Sequence, residues 1–471
     1  MHFKTLVVTL ASCLAAAPAM LPAEPWASTY QPLPSVPTLI VNATILTGTG
    51  QRIENGSLLL SGGRIAQIGD GSGSIRGDDA VVIDAAGRWV TPGLIDVHSH
   101  LGVYASPHVK GHSDGNEMTA PVTAQVWAEH SVWPQDPGFS RALAGGVTTL
   151  QVLPGSANLI GGRGVTLRNV PAVSYQGMKF PGAPQGLKMA CGENPKRVYG
   201  ERMQAPSTHM GNVAGYRAEW IAAQKYIQDW DDYARKVAGQ AGGGAPVAAD
   251  DEPQPPVRDL KLETLAAALK GEILVHMHCY RADEMMTMLD MAEEFGYRIS
   301  AFHHGVEAYK IAGELAKRGV CGALWSDWWG FKAEAWDGIQ ENIALVDRPA
   351  DGCAIVHSDS AEGIQRLNQE AAKAMTRGQR AGMDIPPERA IRWITANPAR
   401  ALGILELTGT LEPGKLADVV IWNGNPFSVY AQADQVFIDG ARVYDRNDPA
   451  RQPVSDFELG QQAGRQGGAR P

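Results

Sequence analysis

The chain is short of positive charge, of cysteine and of long apolar runs, and each shortage removes a class of protein. Its 471 residues carry 41 Lys and Arg against 50 Asp and Glu, a formal charge of −9. With no basic cluster besides, that balance argues against nucleic acid or an anionic membrane and leaves a small-molecule substrate as the expected partner. Five cysteines, Cys13, Cys191, Cys279, Cys321 and Cys353, are too few and too widely spaced for a disulfide framework in so long a chain. Three of the last four sit in or beside apolar strand-like runs, where buried free thiols are expected. The apolar stretch Leu6–Ala17 falls short of the roughly 20 residues a membrane span requires. It follows Lys4 and ends in a small-x-small site at Ala17 and Ala19, which reads as a secretory signal over residues 1–23 and an exported, periplasmic or secreted protein. The rival is a lipoprotein box, Leu10-Ala11-Ser12-Cys13, that would leave a lipid on Cys13; the apolar segment before it is short for that role.

What is present is core material: 44% of residues are hydrophobic and 19% charged, the balance of a globular protein of two or three domains. Two distant stretches share short alternating strands with turn residues, one over 36–90 and one over 404–447. Neither holds enough strands to be stable alone, so together they are expected to form one small β-sandwich domain. Between them, over 91–403, apolar runs alternate with helical patterns, the signature of a parallel sheet with crossover helices. Eight candidate strands, at 90–98, 147–153, 165–170, 186–191, 272–278, 298–304, 320–326 and 353–359, are the number that closes a (β/α)8 barrel. In "ADEMMTMLDMAEEFG" the apolar residues recur at helical spacing before Gly296, and Met285, Met286, Met288 and Met291 are expected to pack in the core. The Gly-, Pro- and acid-rich segment 239–259 is expected to be a flexible insertion, and 448–471 a disordered tail.

The chemistry-bearing residues recur at one structural place. Residues two apart in a strand share a face, so His98 and His100 in "GLIDVHSH" would both face the barrel axis at a strand's C-terminal end, where barrel enzymes keep their active sites. The fifth strand ends with His276 and His278, the sixth with His303 and His304, the eighth with His357 and Asp359. Imidazoles and a carboxylate converging from separate strands are what one or two divalent metal ions, most simply zinc, require. A lone His-x-His would carry little weight; the recurrence carries it.

These residues resemble the amidohydrolase superfamily, in particular its imidazolonepropionase and prolidase-like branch. The match lies in "VTPGLIDVHSH", the histidines ending strands five and six, the Asp ending strand eight, and the closing "ANPARALGI" and "GTLEPGKLADVVIW". It covers the chain from about Thr38 to Asp445, apart from the insertion. The resemblance implies that His98, His100 and Asp359 bind one metal and His276 and His304 a second. Lys188 of "GLKMACGEN", carboxylated because an ammonium cannot ligate a cation, would bridge them; Glu193 is the other local candidate. Asp359 would act as the general base toward metal-activated water. His278 faces the substrate, as catalyst or contact, whereas His303 would point away from the axis if His304 points in. His357 would orient Asp359, touch substrate, or support the ligands.

Substrate signals are thinner. The loop "ALWSDWWGFKAEAWDG" offers Trp325, Trp328, Trp329 and Trp336 for an aromatic pocket wall, or simply for packing on the barrel rim. After strand four, Lys196, Arg197, Tyr199 and Arg202 would grip a substrate carboxylate, or else lie in solvent. "LPGSANLIGGRG" is Gly-rich yet lacks the lysine and serine of a phosphate loop, so it is expected to be a shaped loop. The function expected is exported hydrolysis of an amide or peptide-type C–N bond, in a dipeptide, an N-acyl amino acid or a cyclic amide. A deaminase, a lactonase or organophosphate hydrolase, and a non-catalytic metal-storing barrel are the alternatives. A homo-oligomer is compatible with all of them.

Overall fold

The computed structural model of the chain describes residues 25–71, 75, 79–241 and 253–452. The expected signal segment lies outside them, as do most of the expected insertion and the tail beyond Gln452. Within the insertion's expected bounds, helix α3 (His209–Ala241) continues to residue 241, and Asp259 caps α4 (Leu260–Leu269) by accepting from the backbone of Lys261 and Leu262. Among the described residues no helix is long and apolar enough to cross a membrane.

Two eight-stranded sheets organise the fold. The first draws β1 (Thr38–Leu46), β2 (Arg52–Ser61), β3 (Arg64–Asp70), β4 (Val81–Asp84) and β5 (Trp89–Pro92) from one end of the chain. The other end supplies β14 (Val419–Trp422), β15 (Ala433–Ile438) and β16 (Ala441–Asp445). They pair in the order β16-β15-β14-β5-β1-β2-β3, with β4 on β1. The sheet curls on itself: Arg64 bridges Leu416, and Ile40, Leu58, Val90, Val419 and Phe437 meet in one buried cluster. The composite β domain is thus built from both ends, because neither end alone covers its own apolar face.

The second sheet is a nearly closed barrel: β6 (Leu94–Ser99), β7 (Val147–Val152), β8 (Ile160–Arg168), β9 (Gly186–Ala190), β10 (Leu274–Cys279), β11 (Ile299–His304), β12 (Cys321–Leu324) and β13 (Ala354–Val356), each paired with the next. All eight expected strands are present. One departs from the expected parallel order: β8 runs antiparallel to both β7 and β9. Residues 153–159 between β7 and β8 are too few for a parallel crossover, which takes a dozen or more.

Helices α1 (Pro137–Ala144) and α2 (Glu193–Gly200) follow β6 and β9, and α5 (Ala282–Phe295) follows β10. Gly296 stops α5 in the left-handed conformation, φ 79°. Met285, Met288 and Met291 are buried there and Met286 packs against the same core.

First and last barrel strands share no ladder; a buried carboxylate closes the gap. Asp96 on β6 accepts from the backbone of His98 (3.1 Å) and Ser358 (3.3 Å) and from the Ser358 hydroxyl, while the Asp359 amide donates to His98 O at 3.0 Å. A second buried network ties barrel to β domain. The Arg168 guanidinium at the end of β8 meets Asp418 through both nitrogens at 2.7 Å and Asp439 at 2.7 Å. Thr408 donates to Asp418 at 2.6 Å and Tyr30 to Asp439.

The four cysteines among the described residues are not free thiols. Cys191 and Cys279 form a disulfide, Cα–Cα 5.2 Å, and Cys321 and Cys353 another, Cα–Cα 4.6 Å. Sheet register made both pairs. Ala190 lies opposite His278, which brings the next residues together, and Gly322 lies opposite Ala354, which brings the preceding ones together.

Candidate metal centre

The C-terminal ends of the barrel strands bring the expected groups to one mouth, with Asp359 at the centre. Its Oδ1 lies 3.2 Å from His100 Nε2 and 3.5 Å from His98 Nε2, and its Oδ2 3.9 Å from His304 Nδ1. Lys188 Nζ is 3.3 Å from His98 Nε2. Donor atoms of His98, His100 and Asp359 all lie within 4.8 Å of one another, as do those of His98, His304 and His357. Both His304 (φ 73°) and Asp359 (φ 48°) have left-handed backbones. For residues other than glycine this costs about 1–3 kcal/mol each and is held only by surrounding structure, here at the two strand ends that carry the chemistry.

That backbone corrects the expectation for His303. The left-handed turn at His304 breaks the alternation of β11, so both rings enter the barrel. His303 is fully buried, its Nδ1 2.8 Å from His98 Nδ1 and its Nε2 2.9 Å from His276 Nδ1. His276, expected as a ligand beside His304, lies deeper: its other nitrogen faces Gln151 Nε2 at 3.3 Å, so both of its ring nitrogens are engaged away from Asp359. His278, two residues nearer the mouth, has its ring 4.6 Å from that of His304, and neither of its nitrogens has a hydrogen-bond partner. His357 stacks on His98 at 5.1 Å, also with both nitrogens unpartnered, so it does not orient Asp359 by a hydrogen bond. His100 is oriented by the Leu153 carbonyl, 2.8 Å from its Nδ1.

Burial sets the charge states. It drives the imidazoles of His98, His278, His303 and His304 far below their ordinary range, and those of His276 and His357 down to about 3. Burial likewise lowers the Lys188 ammonium to about 8, against the pull of Asp359. The Asp359 carboxyl is pushed up by burial, but the hydrogen bond and charge of His100, with His357 and Lys188, outweigh this and hold it below the usual carboxylate value. Neutral imidazoles beside an ionised carboxylate are the protonation states that cation binding demands. The unpartnered nitrogens of His278 and His357 and the unpartnered Nδ1 of His304 each cost about 1–3 kcal/mol when left unsatisfied in a buried site. A cation would satisfy such atoms, so the residues fit a divalent metal.

A consequence concerns acid stability. His276 and His357 stay neutral in the folded protein down to about pH 3, whereas in the unfolded chain they take up protons near pH 6.5. The unfolded state therefore binds more protons below that value, and stability is lost as pH falls from about 6.5 toward 3. Each group contributes up to about 1.4 kcal/mol per pH unit in that window. Chelator-treated protein should melt at clearly lower temperature at pH 5 than at pH 7.5; equal melting temperatures would contradict buried neutral rings.

Above the cluster opens a cleft of about 1100 Å³, lined by His98, His100, His278, His304 and Asp359 at its floor. Trp325, Trp328, Trp329 and Phe331 form one wall. Trp325 stacks on His304 at 4.2 Å and Trp328 on Trp325 at 5.5 Å, so the aromatic loop is a cleft wall; Trp336, 76% exposed, points to solvent.

Of the basic residues after strand four, Arg197 lines the cleft. Lys196 pairs with His209, and Arg202 donates to the Met118 carbonyl. Tyr199, expected to contact substrate, is fully buried, its hydroxyl donating to Ala120 O at 2.6 Å and accepting from Asn158 at 3.0 Å. It packs α2 against the shaped Gly-rich loop. There Gly155 approaches Asn116 so closely that a Cβ would lie 2.1 Å from its side-chain oxygen. Glu193 lines the cleft 3.7 Å from Lys332, whereas Lys188 reaches the histidines.

Sequence reasoning missed Asp96, Gln151, Ser358, Tyr104 and Tyr280. Asp96 alone carried a signal, lying on the same strand face as His98.

The sequence profile of the Amidohydrolase family matches residues 89–445. The chain is 33% identical over 438 residues to amidohydrolase tasK of Hapsidospora irregularis, covering 87% of this chain but only 43% of that protein's length. It is 24% identical to an imidazolonepropionase of Mesorhizobium japonicum, over 79% of this chain and 87% of the relative. A solved amidohydrolase structure from Thermotoga maritima is 35% identical, with a TM-score of 0.75, covering 87% of this chain and all of that one. Members typically bind a divalent metal, act on small molecules and hydrolyse C–N bonds. The chain belongs to the amidohydrolase family.

Proposed function

We propose that the protein is an exported, metal-dependent hydrolase cleaving an amide or peptide-type C–N bond in a small substrate such as a dipeptide, an N-acyl amino acid or a cyclic amide. The observation that carries this reading is the Asp359 carboxylate, 3.2–3.5 Å from the imidazoles of His98 and His100 on the floor of a half-apolar cleft. His98, His100 and Asp359 would hold one cation; His304, with Lys188 carboxylated on its amine, would hold a second. His278, whose nitrogens are free, completes the second set in preference to His276, whose nitrogens are engaged. A bound divalent ion, zinc by the donor set, supplies a Lewis acid and lowers the pKa of water.

The chain's residues supply the rest. Asp359 accepts the proton of the attacking water and returns it to the leaving nitrogen. Trp325 and Trp328 shield the floor from bulk water, and Arg197 and Lys332 offer cations for a substrate carboxylate. His357 supports the ring of His98 by stacking. Export is supported by two disulfides, which persist in oxidising compartments, together with the N-terminal apolar segment.

A panel of dipeptides, N-acyl amino acids, cyclic amides, lactones and aminopurines tests the reaction class. Release of free amino acid or amine is expected; turnover confined to the lactones or aminopurines would overturn it. Replacing the two strand-five histidines separately tests the ligand set: His278→Ala should lose bound metal, whereas His276→Ala should retain most of it, and the opposite order would reverse the assignment.

A further inference from the structure

Outside the cleft, three elements that meet only in the tertiary structure bring a second donor cluster together. His209 opens α3, Glu284 lies in the first turn of α5, and Glu334 sits in a short 3-10 turn, Ala333–Ala335, between β12 and β13. One donor atom from each lies within 4.8 Å of the others. His209 Nδ1 is in contact with Glu284, and its Nε2 is 3.8 Å from Glu334 Oε1. Glu334 is 7% exposed; its Oε2 accepts from the Glu193 amide at 2.9 Å, while Oε1 points into the cluster with no hydrogen-bond partner. Beside them a cavity of about 270 Å³ is lined by His209, Glu284 and Cys191.

We propose that His209, Glu284 and Glu334 form a peripheral site for a divalent transition cation, separate from the catalytic cluster. One imidazole with two carboxylates suits zinc or manganese better than magnesium or calcium. Two carboxylates brought together away from water need more positive charge than they have. Burial, and the neighbouring Glu334, raise the carboxyl of Glu284, and burial raises that of Glu334. The groups facing them are His209 itself, Lys196, whose Nζ is 3.2 Å from His209 Nε2, and Lys332, paired with Glu193 and Asn194. A cation there would tie the loop bearing Phe331 and Lys332 to α3 and α5, fixing one wall of the cleft.

The test is metal stoichiometry. Full-length protein equilibrated with zinc and then gel-filtered is measured for metal per chain, in wild type, His209→Ala and Glu334→Gln. Wild type should hold one equivalent more than either variant, and Asp359→Asn should keep that equivalent. His209 is 43% exposed at its side chain and Gln is nearly isosteric with Glu, so melting curves should verify folding of at least one variant. Equal stoichiometry and superimposable zinc titrations in all three proteins would overturn the proposal and leave His209 as a simple polar contact between two carboxylates. A wild type that takes up zinc only at residues whose binding is abolished by His98→Ala would overturn it as well.

Discussion

Asp359→Asn should lower kcat by about 10²–10⁴-fold, the usual contribution of a positioned general base, while most of the bound metal remains. The amide keeps the shape of the carboxylate and one acceptor oxygen toward His98 and His100, 3.5 and 3.2 Å away in the parent, but it cannot take a proton from water. Because the loss is confined to the chemical step, KM should change far less than kcat. Metal analysis alongside steady-state kinetics separates the outcomes. An inactive variant that has also lost its metal would make Asp359 primarily a ligand, and an active variant would remove it from the mechanism. The low pKa held by His100, His357 and Lys188 against burial means that the base is already ionised at neutral pH.

Arg168→Met should destabilise the protein by about 3–5 kcal/mol, the cost of breaking a buried ion pair by removing one partner. The guanidinium is 1% exposed at its side chain and is met by Asp418 and Asp439, each at 2.7 Å. With methionine in its place, two carboxylates would share a dry interface between the barrel and the β domain. Urea unfolding should show the midpoint falling. Adding Asp418→Asn and Asp439→Asn to Arg168→Met should recover part of the loss, since the uncompensated charges then disappear. A single variant within about 1 kcal/mol of the parent would show that the interface admits water.

The legible part of the site followed from period and position. His98 with His100 and His357 with Asp359 stood at strand ends where alternation aims them together, and they meet within a few ångströms. Alternation failed at β11, because a left-handed residue at His304 turns both rings inward. No local pattern marks such a residue when it is not glycine. Tyr199 failed for another reason: it is the penultimate residue of α2, where packing on the Gly-rich loop, not proximity to strand four, decides its direction. The aromatic stretch after β12 left pocket and packing unresolved until Trp325 was found stacked on His304.

By itself the amino-acid sequence determined the eight-strand barrel, the composite β domain, and the convergence of histidines and one aspartate at a single mouth. Hydrophobic periodicity and strand-end chemistry are local properties, written within a few residues. Only the tertiary structure decided the antiparallel course of β8, the pairing of cysteines 88 and 32 residues apart, the position of His278 rather than His276 in the cleft lining, and the buried Arg168 clamp. Each of these depends on register between distant strands, and register is set by how whole sheets pack, which no short stretch of sequence encodes.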